Sequence, residues 1–299
     1  MTETILPPPV ATSDAQEIEK RMRAEVRDIG IPPRPTILEQ IDREMAKEEP
    51  DFGLLATLIG SDVALAAGLI KTTNSPYFGF SKKVRSVREA LLVLGLKVIV
   101  RTIAGLALQK AFPHVPSLER FWDASATTAR VAGWLAQHLR DVCPVRADDA
   151  YTFALFRDCG VPVMMIPFPE YPELLKRANS EENLPFTAVE DQVLALNHAI
   201  VGAELAENWL LPEDIHQAIR HHHHREALAG NQQPPLAPAS RRLIAIAQLA
   251  EHLIQQHTGR NQTREWHKLG GACLAVLGLV ADDLPRLLAD SREVVGAAD

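Results

Sequence analysis

The sequence predicts an almost entirely α-helical protein, and three observations carry that expectation. Apolar residues recur at helical period, as in Ile18, Met22, Val26 and Ile29. Three tetrapeptides, Thr36-Ile37-Leu38-Glu39, Ser86-Val87-Arg88-Glu89 and Thr187-Ala188-Val189-Glu190, have the form of a capping box. No stretch sustains period-2 alternation with β-branched residues.

In order along the chain, residues 1–12 are expected to be a disordered tail, because Pro7, Pro8 and Pro9 cannot enter a helix interior. A helix from Ser13 stops at Gly30, before Pro32 and Pro33. Leu38, Ile41 and Met45 mark the next, ended by Pro50. Phe52 to Ile59 is a short helix, and Ser61-Asp62 caps another over Val63 to Lys71. The segment Asn74 to Gly79 is turn chemistry. Helices follow over 87–94 and 97–112, separated by Gly95. Pro113 to Pro116 is the best internal boundary, giving an N-terminal helical lobe over 13–115 and a second lobe over 116–299, or one domain over 13–299. In the second lobe, helices are expected over 121–140 and 148–157. A helix opened by the Thr187 box carries His198 and Trp209, and one from Pro212 ends in a histidine run. Residues 229–239 read as a polar loop, 243–256 as a helix, and two further helices follow.

The bulk composition excludes several classes. Net charge is −7, so the chain as a whole does not attract nucleic acid or anionic membrane. No apolar run approaches the roughly 18 residues of a membrane helix, and the N-terminus has no basic or apolar signal region. Cys143, Cys159 and Cys273 are odd in number and widely spaced, which suits a reducing, cytoplasmic setting and excludes a disulfide framework. Nothing resembles a nucleophile elbow, a P-loop or a dinucleotide-binding motif.

The chemistry is concentrated between Tyr151 and His224: Arg157-Asp158, then His198, then His221-His222-His223-His224. One carboxylate followed by several imidazoles is the raw material of a metal-dependent hydrolase. However, Arg157 stands where such a site wants another histidine. A guanidinium cannot lose its proton or ligate metal, but it can pair with Asp158 where a cation would sit. The alternative is a surface arginine that merely follows the helix. If the run is helical, neighbouring histidines point about 100° apart, so at most His221 with His224, or one central residue, faces inward. The remainder is then a solvated helix end, where imidazolium suits the dipole.

The N-terminal half resembles the HDOD domain family through Ile31-Pro32-Pro33, the segment Ile59 to Leu65, Asn74 to Gly79, and Val87 to Gly95. Phe121-Trp122 and Leu277-Gly278-Leu279, followed by Leu284, Leu287 and Leu288, extend the likeness to roughly residues 29–291. The resemblance implies a fold like that of the HD phosphohydrolases and the HD-GYP cyclic-dinucleotide phosphodiesterases, in a family many of whose members are non-catalytic signalling modules. It also implies a metal pattern that this chain keeps only in part. Ala124 replaces the first histidine and Arg157 the histidine of the His-Asp pair, leaving Asp158. His198 matches a histidine of HD-GYP-like sites, His221 or His222 matches the next, and Glu251 stands for the final aspartate.

Three functions follow as expectations. The first is a non-catalytic HDOD-type scaffold acting through regulatory or signalling proteins in a bacterial pathway, with no cofactor, and with Asn74, Tyr77, Phe78 and Phe80 as the partner-binding loop. The second is a divergent metal-dependent phosphohydrolase, using a divalent metal on Asp158, His198, His222 and Glu251. The third is a sensor of nucleotide second messengers or nucleic acid, using Lys82, Lys83, Arg85 and Arg88. Those four lie in a segment, 71–101, with seven basic residues and one acid, Glu89.

Overall fold

A computed structural model describes residues 31–75, 78, 80, 82–112, 116–231 and 235–296. The expected tail, the helix from Ser13 and most of the 113–116 boundary lie outside the described residues. Within them every regular element is helical and no strand occurs.

The N-terminal part is a nest of five helices: α1 (Thr36–Met45), α2 (Phe52–Gly60), α3 (Val63–Thr73), α4 (Val87–Leu94) and α5 (Leu96–Lys110). Leu38 and Ile41 of α1, Leu55 and Ile59 of α2, and Leu65 and Leu69 of α3 are buried at the spacings the apolar pattern sets. The Thr36–Glu39 box does not form. Pro35 occupies the cap position without a side-chain bond, because the helix begins one residue earlier than the box requires. Asp51 caps α2 through bonds from Gly53 N (2.7 Å) and Leu54 N (3.0 Å).

Asp62 caps α3 by accepting from Ala64 N (3.1 Å) and Leu65 N (3.2 Å), and its other oxygen pairs with Lys110 of α5. Lys110 holds this carboxyl below its ordinary range. Asp62→Ala is therefore expected to cost about 1 kcal/mol. The carboxylate's share is present above the unfolded value of about 3.9 and fades as pH falls through the lower folded one. Urea unfolding of wild type and variant at pH 7 and pH 3 checks both, since the two curves should converge at the acid end.

Ser86 caps α4 by accepting from Glu89 N (3.1 Å), while the Glu89 carboxylate reaches back to Arg85 N (2.8 Å) rather than to Ser86 itself. Between α3 and α4, the Asn74 side chain donates to Val84 O (2.8 Å) and accepts from Val84 N (2.7 Å), closing the loop at its base. Gly95, at φ +74°, makes the sharp turn from α4 into α5.

The remainder is built on α6 (Pro116–His138) packed along α7 (Ala147–Phe156). Helix α14 (Pro238–Thr258) packs against both, and also against α12 (Glu213–His221) and α15 (Glu265–Leu277). Short helices α8 (Gly160–Met165), α9 (Tyr171–Ser180) and α10 (Phe186–Asp191) lead to α11 (His198–Asn208), which pairs with α12. Helix α13 (Arg225–Ala229) follows α12, and α16 (Leu284–Asp290) and α17 (Arg292–Gly296) close the chain.

The two parts are tied together. Trp209 Nε1 donates to Pro32 O (3.0 Å), Arg34 Nε donates to Trp209 O (3.1 Å), and Arg101 of α5 pairs with Asp149 of α7 at 2.5 Å. No single described helix is long and apolar enough to cross a membrane. The α2–α3 pair, apolar enough together, is bent by 113°.

Helices α8 and α11 cross at glycines. A Cβ on Gly160 would lie 2.0 Å from His198 O and 2.7 Å from Gly202 N, and one on Gly202 would meet Cys159 Sγ at 3.2 Å. This close approach brings Asp158 and His198, forty residues apart in sequence, to the same point.

Candidate metal centre

Four side chains converge where the ends of α7, α11 and α12 meet. Asp158 lies two residues past α7, His198 is the first residue of α11, and His222 and His223 follow α12 directly. One donor atom from each lies within 4.8 Å of every other. His198 Nε2 is 3.3 Å from His222 Nε2 and 3.2 Å from His223 Nε2. Asp158 Oδ1 is 3.2 Å from His222 Nε2 and 3.6 Å from His198 Nε2.

Every ring is anchored by its other nitrogen. His198 Nδ1 lies 2.8 Å from Glu190 Oε2, and Tyr171 OH donates to the second oxygen of that wholly buried carboxylate. His222 Nδ1 donates to Ile219 O (2.6 Å), and His223 Nδ1 lies 2.5 Å from Glu265 Oε2. Lys268 neutralises Glu265. The Phe186 ring stacks on His223 (4.7 Å between centroids) and sets its edge against His198 (5.3 Å), covering the group.

Anchoring each Nδ1–H fixes the tautomer and turns three Nε2 lone pairs toward one point. Lone pairs so placed repel unless something positive sits among them. With bonds of about 2.0–2.1 Å, a tetrahedral cation has ligand atoms about 3.3 Å apart; four of the six donor pairs here lie at 3.2–3.6 Å, and all lie within 4.8 Å. The residues present therefore fit a divalent metal of the kind that accepts imidazole and carboxylate.

The electrostatics agree with a site that demands positive charge. Burial alone would push the His198 imidazole down, but the Glu190 and Asp158 carboxylates outweigh it and raise it to about 10. Burial lowers His222, and takes His223 to about 3. Burial works against ionised Asp158, yet Arg157 and the two imidazoles hold it well below the usual carboxylate range.

Beside this set lies a second cluster. Arg157 donates twice to Asp158 Oδ2, from Nε (3.0 Å) and Nη2 (2.8 Å), and from Nη1 to Glu251 Oε2 (3.0 Å). Its side chain is 11% exposed, so it is not a surface arginine. Asp158 thus bridges the imidazole group through one oxygen and a fixed guanidinium through the other. Glu251 is engaged by Arg157 and by Gln255 (3.3 Å) and does not join the four converging donors. Ala124, half-buried on α6, offers no ligand atom.

The structure separates the histidine run differently from the 100° argument. Helix α12 ends at His221, so His222 and His223 are turn residues that both point inward. His221 and His224 are left partly exposed against each other. Burial, with His224 next, takes His221 down to about 4.

Helical periodicity missed His223, Glu190 and Glu265. The Thr187–Glu190 box does not form, because Thr187 lies within α10, and Glu190 turns inward to Tyr171 and His198 instead. Asn197, not Thr187, caps the helix that His198 opens, accepting from Ile200 N at 3.0 Å.

The loop residues lie apart from this centre. Lys82, Lys83, Arg85 and Arg88 are exposed, Phe80 is 40% exposed, and the Phe78 and Phe80 rings are parallel with centroids 6.2 Å apart. Tyr77 lies outside the described residues.

The fold is all-helical, and its Asp and His donors gather at helix ends around one point. The chain belongs to the HDOD domain family, whose model matches residues 31–225. It is 32% identical over 199 residues to an uncharacterized protein of Treponema pallidum. The match takes 64% of this chain and 37% of that protein, so the chain spans well under half its relative's length. Its fold is similar to an HDOD domain protein with unknown function from Geobacter sulfurreducens (22% identity, TM-score 0.66, 96% of this chain and 98% of that one). It is also similar to a Shewanella amazonensis protein named "putative metal-dependent phosphohydrolase" (15% identity, TM-score 0.64, 96% and 100%). A third similar fold, from Marinobacter aquaeolei, is named "putative signal transduction protein" (20% identity, TM-score 0.66, 96% and 66%).

Proposed function

We propose that this HDOD protein is a non-hydrolytic signalling scaffold that acts through protein contacts, with its second half fastened by one divalent metal on Asp158, His198, His222 and His223. The observation that carries the reading is that four protein side chains bring one donor atom each to the same point, and a full complement of four protein ligands is the mark of a structural rather than a catalytic site. A catalytic site keeps a position open for water, and here the neighbouring place is taken by Arg157 between Asp158 and Glu251. A guanidinium supplies the charge of a second cation but activates no water. The cavity of about 210 Å³ lined by Arg146, Asp149, Pro212, Ile215 and Leu243 lies at the other end of α12, away from these donors.

When bound, the metal supplies a cross-link between the ends of three helices. The residues of the chain do the rest: Glu190, Ile219 and Glu265 orient the rings, and Phe186 keeps water from them. The partner surface is the loop closed by Asn74, where Phe78 and Phe80 offer apolar area beside Lys82, Lys83, Arg85 and Arg88.

Elemental analysis of untagged protein, purified without chelator, tests the reading. About one equivalent of a divalent transition metal is expected in wild type and a small fraction of that in His223→Gln, whose partner Glu265 keeps Lys268. Chelation should lower stability by about 2.7 kcal/mol for metal present at a hundred times its dissociation constant. The metal-loaded protein should leave cyclic dinucleotides and phosphomonoesters intact. Hydrolysis that disappears in His223→Gln would replace the scaffold with the hydrolase, and metal far below one equivalent would remove the centre.

A further inference from the structure

We propose that His221 and His224 form a second, weaker and exchangeable metal site at the surface, of the class taken by divalent transition metals that favour imidazole. Their Nδ1 atoms face each other at 3.5 Å, and the rings meet at 62° with centroids 5.6 Å apart, so they converge instead of stacking. As a hydrogen bond the contact is poor, since N–H donors ordinarily sit near 2.9–3.0 Å from their acceptors. As the edge of a coordination polyhedron it is close to the spacing of about 3.3 Å that two imidazoles adopt on one cation.

The other nitrogen of His224, Nε2, lies 3.4 Å from Thr187 Oγ1, a hydroxyl able to take its N–H in the tautomer that frees the Nδ1 lone pair for a metal. Both rings are partly exposed, so water can complete the coordination and the metal can leave. The backbone makes the pair: His221 is the last residue of α12 and His224 caps α13, with extended φ −99° and ψ 109°. The turn between them sends the middle two histidines inward and folds the outer two onto each other. Four consecutive histidines thus yield one buried set and one surface pair that share no residue.

Isothermal titration of chelator-stripped full-length protein with zinc alone tests this. Wild type is expected to show a tight event and a weaker one. His223→Gln should keep only the weaker event, and His221→Gln/His224→Gln only the tight one. His222→Gln serves in place of His223→Gln if that variant does not fold. The surface site is overturned if wild type shows no weaker event, or if that event survives in the double variant. A missing tight event with the weaker one intact would instead count against the buried centre and leave the surface pair standing.

Discussion

Gly160→Ala is expected to lower the unfolding free energy by about 3 kcal/mol, the upper end of the usual cost of overpacking, and to abolish metal retention in the same variant. The reason lies in the contact that alanine would make. A Cβ at this position falls 2.0 Å from His198 O and 2.7 Å from Gly202 N, both backbone atoms, so no rotamer change relieves it. Helices α8 and α11 must separate, and the separation moves His198 away from Asp158. Gly271→Ala is the control: nothing lies within 4 Å of a Cβ there, and the helical position should gain about 0.5–1 kcal/mol. Urea midpoints and bound metal for the two variants check the contrast. Retained metal and an unchanged midpoint in Gly160→Ala would show that the crossing is looser than its geometry indicates.

Arg157→Met should cost about 3–5 kcal/mol, the range for removing one partner of a buried ion pair. It strands two carboxylates, Asp158 and Glu251, that meet the same guanidinium. The loss should depend on pH in a stated direction. Burial already raises the Glu251 carboxyl above its ordinary value while Arg157 pulls it down, so deleting Arg157 raises it further. A carboxyl raised in the folded state favours folding below its unfolded value of about 4.3 and loses that advantage as pH rises. The deficit of Arg157→Met relative to wild type should therefore be smaller at pH 5 than at pH 8. Both proteins are compared in chelator, so that metal does not enter. Equal deficits at the two pH values, or a deficit below about 1 kcal/mol, would return Arg157 to the status of an ordinary surface charge.

The helices were legible because their signals are local. Asp62 and Ser86 cap helices where the sequence placed them, and Leu38 and Ile41 are buried at the expected spacing. The centre was legible only in part, because its geometry is set by where helices stop. Asp158, His198 and His222 stand out as residue types in a pattern. His223 does not, since a helical run would turn it away from His222, and only the end of α12 at His221 lets both rings face inward. Glu190 and Glu265 are invisible to local reasoning: each reads as an ordinary helix carboxylate until the fold brings it to an imidazole. A carboxylate in the first turn of α15, as Glu265 is, reads most simply as a favourable dipole partner. Arg157 was legible as a departure from the metal pattern, but its second partner, Glu251, comes from ninety-four residues away.

The carboxylates that complete both clusters, Glu251 and Glu265, sit on α14 and α15, downstream of residue 225, where the family match ends. A fragment cut at that boundary would expose the apolar faces of α6 and α7 that α14 covers, leave His223 without its orienting partner, and deprive Arg157 of one of its two counter-charges. The unit able to fold by itself is thus longer than the unit recognisable by descent. An expression boundary drawn from sequence likeness alone would fall inside the cooperative structure, and the smallest autonomous piece must extend at least through α15.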